Sequence, residues 1–134
     1  MYIDEKPKLI RKWSEIKISL DLSEKYAQSF KEGDVWWASI GMNIGHEENG
    51  KHQKFERPIL ILKKFNQHLL LIVPLSSKLK ENNKYYHKIM VSSKFSSVIM
   101  FQVRTASSKR LIRKMGRINT EDFVELRRII RKFI

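Results

Sequence analysis

The chain has 134 residues, enough for one domain with a single core. It carries 27 basic and 14 acidic side chains, a formal charge of +13, and no cysteine. That composition excludes disulfides, thiolate metal sites and cysteine nucleophiles, and it favours a polyanion, nucleic acid above all, as partner. Solubility or an acidic protein partner would account for the same charge. No stretch is long and apolar enough to span a bilayer. The opening MYIDEKPKLIRKW lacks the apolar core of a secretory signal, so cytoplasmic residence is expected. The positive charge is not a terminal tail: residues 1–34 hold seven basic and seven acidic side chains, residues 35–103 carry +6 and residues 104–134 carry +7. His46 and His52 share a loop while His68 and His87 lie far along the chain, which is not a metal-ligand pattern.

Leu9, Trp13, Ile16 and Leu20 recur at helical spacing and predict an amphipathic helix over about Lys8–Leu20, with Ile10 and Ile18 blurring the stripe. Asp21–Ser23 either ends it or starts a second short helix through Phe30. Residues 1–32 thus read as a neutral helical extension that packs on the body or on a partner, and residues 33–134 as the body. Lys31–Asp34 is a turn around Gly33.

Val35–Ile40 is a predicted strand whose alternation sends Trp36 and Trp37 to opposite faces. One enters the core; the other covers an interface or a ligand groove. Next comes the polar loop GHEENGKHQKFERP, Gly45–Pro58, between two apolar runs. Arg57 stands where this loop meets the next strand, and Pro58 biases it toward an extended backbone. The loop is either an ordinary exposed hairpin or the wall of a site, because charged loops on a rigid frame commonly carry function.

Ile59–Lys63 and Leu69–Val73 are strong strands joined by a short return, with Pro74 restricting the second. Ser76 and Ser77 follow, placed to orient a phosphate or simply to cap a turn. After the polar connection from Lys78 to Lys84, Tyr85–Val91 and Ser97–Val103 are predicted strands, with Ser92, Ser93 and Ser96 in the turn. Alternation in FQVRT turns Gln102 and Arg104 outward if Phe101 and Val103 face the core. A helical turn is predicted around Lys109–Leu111 and a short strand at Met115–Ile118. Asn119 then caps a helix whose Phe123, Leu126, Ile130 and Phe133 form an apolar stripe beside Arg127, Arg128, Arg131 and Lys132. That basic face either binds RNA or lies in solvent. Several short strands in this order fit a small, mainly β barrel with short helices.

In their combined order, three segments resemble the MazF/PemK toxins of type II toxin–antitoxin systems. GDVWWASIGMNIGHEENG followed by RPILIL resembles the first strand, substrate loop and second strand; IVPLSSK resembles the segment with the active-site hydroxyl; FQVRTASSKRLIRKMGRI resembles the strand, short helix and strand that follow. The similarity covers about Gly33–Ile134, and the first 32 residues resemble the helical extension of a longer branch. The resemblance implies an SH3-like small barrel of the MazF/PemK and CcdB-like toxin type, usually a homodimer. It implies a sequence-selective endoribonuclease that cuts single-stranded RNA with no metal or other cofactor, and an antitoxin protein as partner. Cleavage would proceed by attack of the ribose 2′-hydroxyl on the adjacent phosphate, leaving 2′,3′-cyclic phosphate and 5′-hydroxyl ends. By carry-over the catalytic residues are Arg57, Ser76 and Glu47, with Glu47 steering Arg57 or touching RNA. Substrate binding falls to His46, Lys51, Lys54, Ser77, Lys78, Gln102, Arg104 and Lys109. The family commonly has threonine where Ser76 stands. Its loop is the shorter G-x-E-Q-x-G-x-R-P; here Glu48 replaces the glutamine, and Lys51–Glu56 is inserted between Gly50 and Arg57. The insertion is expected to set target preference. A non-enzymatic toxin, as in gyrase-inhibiting toxins, or a basic nucleic-acid-binding module are the competing functions on the same fold.

Overall fold

The computed structural model describes residues 5–26, 29–52, 54–79 and 83–134. Helix α1 spans Lys6–Leu22, with Pro7 in its first turn, where a missing N–H costs nothing. It ends at Leu22, so no second helix follows through Tyr26; residues 27–28 lie outside the described part. Strands β1 (Asp34–Ser39), β2 (Glu56–Lys64), β3 (Leu69–Ser76), β4 (Tyr86–Val91) and β5 (Lys94–Ile99) come next. A 3₁₀ turn at Met100–Gln102, β6 (Arg104–Ser107), a 3₁₀ turn at Ser108–Arg110, β7 (Leu111–Arg117) and helix α2 (Thr120–Arg131) complete the chain.

The strands form one curled antiparallel sheet in the order β4-β5-β3-β2-β1-β7, with β6 also on β3. β3 divides one edge between two partners: Leu69–Ile72 pair with β6, and Leu75–Ser76 pair with β5. Pro74 lies at the changeover, where its lack of an N–H removes a donor that a continuous ladder would need. At the open seam the Ser92 hydroxyl donates to the Met115 carbonyl at 3.0 Å, joining the β4–β5 turn to β7. The sheet is thus a half-barrel, as the small-barrel reading anticipated.

Alternation gives the sheet two apolar faces. Inside lie Val35, Leu60, Leu62, Val73, Leu75, Ile89, Val91 and Val98, and α2 closes this core with Leu126 and Ile130. Burying those two side chains stabilises the fold by about 2 kcal/mol each. Asn119 caps α2 by accepting the Asp122 N–H at 2.8 Å, with Glu121 and Asp122 in the first turn. The other face packs Trp36, Ala38, Ile40, Ile59, Ile61, Leu70, Ile72 and Ala106 under Phe30. Trp36 and Trp37 do take opposite faces; Trp37 is half-buried beneath the Arg113 guanidinium, 4.9 Å from its ring. Trp13, Met42 and Phe55 form a third, separate cluster, with Leu9, Ile16 and Leu20 against it, while Ile10 and Ile18 stay exposed.

Two predicted strands change. Ser92 and Ser93 both have positive φ (49° and 66°), the backbone of a two-residue hairpin turn, so β5 begins at Lys94 and Ser96 lies within it. β5 ends at Ile99 instead of Val103, because the chain must turn at Met100–Gln102 to change its place along β3. Phe101 is consequently exposed at 52%, not in the core. β7 is longer than expected, starting at Leu111.

Candidate functional site

A cleft of about 550 Å³ opens where the β1–β2 loop faces the Met100–Arg104 turn. Its apolar lining is Ile40, Ile59, Ile72, Pro74, Phe101 and Val103, and its polar lining is Asn43, His46, Glu47, Glu48, Gln102 and Arg104. Arg57 stands behind Glu48 and meets the cleft through it. The Arg57 side chain is only 13% exposed, and each of its nitrogens is engaged. Nε donates to the Asn49 carbonyl at 2.8 Å, Nη1 donates to the Leu75 carbonyl at 3.1 Å, and Nη2 pairs with Glu48 Oε2 at 3.0 Å. A guanidinium has five N–H donors, so these three bonds leave two for a further acceptor.

The strands explain this placement. β2 pairs with β3 so that Ile59 faces Pro74. Beyond that pair the Arg57 side chain reaches across to the Leu75 carbonyl, one residue before Ser76. Ser76 is half-buried and paired with Ser97 of β5. Its Oγ accepts the Lys78 N–H at 3.2 Å, so its own proton can point elsewhere.

The loop is held by its own polar groups and by Gln102. The Gln102 amide accepts the Glu48 N–H at 2.8 Å and donates to the His46 carbonyl at 3.0 Å. Asn43 Nδ2 donates to the Glu48 carbonyl at 2.7 Å, and Asn49 Oδ1 accepts the Asn43 N–H. Gly50 donates to the Gly41 carbonyl at 2.7 Å and lies so close to Phe55 that a Cβ would be 1.6 Å from the Phe55 carbonyl oxygen. Only glycine fits that approach.

The structure brings His46, Glu47, Gln102 and Arg104 to one cleft, with Arg57 behind Glu48, while neither Arg57 nor Ser76 lines it. It corrects several expectations. Glu47 does not steer Arg57: its carboxylate accepts the Ile44 N–H at 2.9 Å, and Glu48 makes the ion pair. Gln102 spends both ends of its amide on the loop backbone rather than facing outward. Lys109 is taken up by α1, its ammonium donating to the Asp21 carbonyl at 2.8 Å and lying 4.9 Å from the Tyr26 ring. Lys51, Lys54, Ser77 and Lys78 are exposed but do not line the cleft. Lys51 and Glu56 instead bridge the neck of the insertion. Glu48, Asn43, Asn49 and Phe101 were missed. The run Glu48-Asn49-Gly50 held the available signal, since short polar side chains before a glycine often bond to nearby backbone.

The cleft carries charge of both signs: Glu47 and Glu48 on the loop, Arg104 opposite them. Arg104 is exposed, its Nε donates only to the adjacent Thr105 carbonyl, and no carboxylate among the described residues forms an ion pair with it. Arg110, whose Nη1 donates to the Ser39 carbonyl at 3.2 Å, has its pKa lowered by burial and then by the nearby Arg104 charge. Among the described residues no group of three His, Asp or Glu side chains could hold a metal ion, and no helix is long and apolar enough to cross a membrane.

Three comparisons bear on this geometry. Residues 31–134 match the model of a family described as PemK-like, MazF-like toxin of type II toxin–antitoxin systems. Among solved structures, the fold is similar to MazF (Form-I) from Deinococcus radiodurans, with a TM-score of 0.67 and 17% identity over 80% of this chain and 97% of that one. It is also similar to the MazE–MazF structure (Form-II) from the same organism, with a TM-score of 0.60 and 16% identity over 80% and 96% of the two chains. No curated protein sequence matches the chain.

Proposed function

Because the chain belongs to the PemK-like, MazF-like family of type II toxins, we propose that it is an endoribonuclease that cleaves single-stranded RNA without a metal ion. The single observation that carries this reading is Arg57, fixed by three acceptors behind Glu48 at the edge of the cleft. The reaction is attack of the ribose 2′-hydroxyl on the neighbouring phosphate: the 2′-oxygen loses its proton and bonds to phosphorus, the bond to the 5′-oxygen breaks, and that oxygen takes up a proton from solvent water. It gives 2′,3′-cyclic phosphate and 5′-hydroxyl ends.

Such a reaction needs alignment and charge stabilisation more than a strong base. Arg104 draws the phosphate into the cleft. The phosphate then displaces Glu48 from Arg57 Nη2 and takes the unused N–H donors of the guanidinium. The carbonyls of Asn49 and Leu75 keep the guanidinium plane fixed during that exchange. Ser76 donates its hydroxyl proton to a non-bridging oxygen as charge builds up. The released Glu48 carboxylate is the group beside Arg57 able to accept the 2′-proton. Phe101 offers an exposed ring at the cleft edge for an unpaired base. DNA lacks the nucleophile and is not cleaved.

The relative seen as a MazE–MazF structure supports an antitoxin partner for this chain. An acidic amphipathic segment suits a chain of net charge +13, and a cytoplasmic homodimer completes the proposal, with residues 1–32 as an extension on a toxin domain at 33–134. The test is end-mapped cleavage of a diverse RNA pool in a chelator by the purified protein and by Arg57→Ala. Cyclic-phosphate ends that vanish in the variant are expected. Absence of such ends across the pool, or full activity in Arg57→Ala, would overturn the proposal.

A further inference from the structure

Helix α1 lies outside the matched family region, yet its buried side chain touches the loop that carries the site. Trp13 is 5% exposed. Its ring covers Gly41 so closely that a Cβ there would sit 2.0 Å from it, and its centroid is 5.7 Å from that of Phe55. Phe55 belongs to the Lys51–Glu56 insertion, so the extension and the insertion meet each other.

From that contact a continuous path leads to Arg57. The Phe55 carbonyl accepts the N–H groups of Ile40 at 3.0 Å and Gly41 at 3.1 Å. The Gly41 carbonyl accepts the Gly50 N–H at 2.7 Å, and the neighbouring Asn49 carbonyl holds Arg57 Nε at 2.8 Å. The cluster of Trp13, Met42 and Phe55 shares no residue with the two barrel cores. Removing it therefore disturbs the loop before it disturbs the sheet.

We propose that Trp13 is a positioning residue: α1 braces the segment from Gly41 to Phe55, and so holds Asn49, Glu48 and Arg57 in working geometry. Lys109 pins the far end of the brace through the Asp21 carbonyl. In its effect on catalysis the proposal rests on the ribonuclease reading; in its effect on the loop it does not.

The test compares full-length wild type, Trp13→Ala and Trp13→Phe by amide hydrogen exchange and by single-turnover RNA cleavage. In Trp13→Ala the amides of Gly41 and Gly50 are expected to exchange at least about tenfold faster, with those of β2 and β3 unchanged. The cleavage rate should fall about tenfold with KM within about threefold, as for loss of positioning and not of binding. Trp13→Phe should restore most of both. Phe55→Leu, which loosens the same contact from the loop side, should reproduce the pattern and serves if Trp13→Ala does not fold. Unchanged exchange at Gly41 and Gly50, or an equal rise throughout the strands, overturns the brace. Should the wild type cut no RNA, the ribonuclease reading fails and the exchange result still decides the brace.

Discussion

Glu48→Gln isolates the charge that stands between the cleft and Arg57. Glutamine keeps the size of the side chain and an oxygen that accepts from Nη2, so Arg57 stays in place. What disappears is a negative charge 3.0 Å from the guanidinium. An incoming phosphate about 6 Å from that carboxylate is repelled by roughly 0.7 kcal/mol at a water-like dielectric and about 2.8 kcal/mol at an effective value of 20. The pair is half-shielded, with Glu48 28% and Arg57 13% exposed, so a middle value of about 1.4 kcal/mol is reasonable. That is about tenfold tighter binding. The assay is fluorescence anisotropy with an RNA whose scissile 2′-hydroxyl is replaced by hydrogen, titrated at several salt concentrations. One more engaged phosphate should steepen the slope of log K against log salt by about 0.7. An unchanged or weaker affinity with an unchanged slope would show that Glu48 does not compete with the phosphate. If Glu48 also accepts the 2′-proton, the cleavage rate falls while affinity rises, which separates the two roles.

Three further outcomes follow from the geometry. Asp34 is fully buried, pairs with Arg117 at 2.7 Å and accepts the Lys31 N–H at 2.9 Å and the Trp36 indole N–H at 3.4 Å. Asp34→Ala takes the acceptor from the Lys31 N–H and the buried Trp36 indole N–H and should cost about 3 kcal/mol, or roughly 10 °C in Tm, measured by calorimetry. Gly50→Ala drives a methyl into the Phe55 carbonyl and should cost about 1–3 kcal/mol by overpacking while abolishing cleavage, checked by urea titration beside an RNA assay. The pKa of Glu125 is lowered by its hydrogen bond from Arg128, so this exposed pair contributes stability above the carboxylate's ordinary pKa and loses it as pH falls through the lowered value. Glu125→Gln should therefore narrow the Tm difference from wild type between neutral and acidic pH.

The elements most legible in the sequence were those whose pattern is local. Leu9, Trp13, Ile16 and Leu20 mark α1 because helical spacing is a property of neighbouring residues. The ILIL and LLLIV runs mark β2 and β3 for the same reason. Arg57 and Ser76 were legible as residue types at strand ends, through the order of the family segments. The partners were not. Whether Glu47 or Glu48 reaches Arg57 depends on the turn at Asn43–Gly50, which Gln102 fixes from a segment more than 50 residues away. Lys109 reads as a phosphate ligand until α1 folds back over it. The end of β5 was misplaced because alternation cannot reveal that β3 offers its edge first to one strand and then to another.

The neck of the insertion has an evolutionary consequence. Lys51 and Glu56 exchange two backbone hydrogen bonds of 2.8 Å each, so the inserted chain leaves and rejoins the loop at one place. Beyond that pair the Lys54 and Phe55 carbonyls are tied to Ser39, Ile40 and Gly41, so the spacing of Gly50 and Arg57 depends on Phe55 as well. Change is therefore confined to exposed side chains such as His52 and Lys54, while Phe55 keeps its place against Trp13. Diversity can then accumulate beside the arginine without moving it.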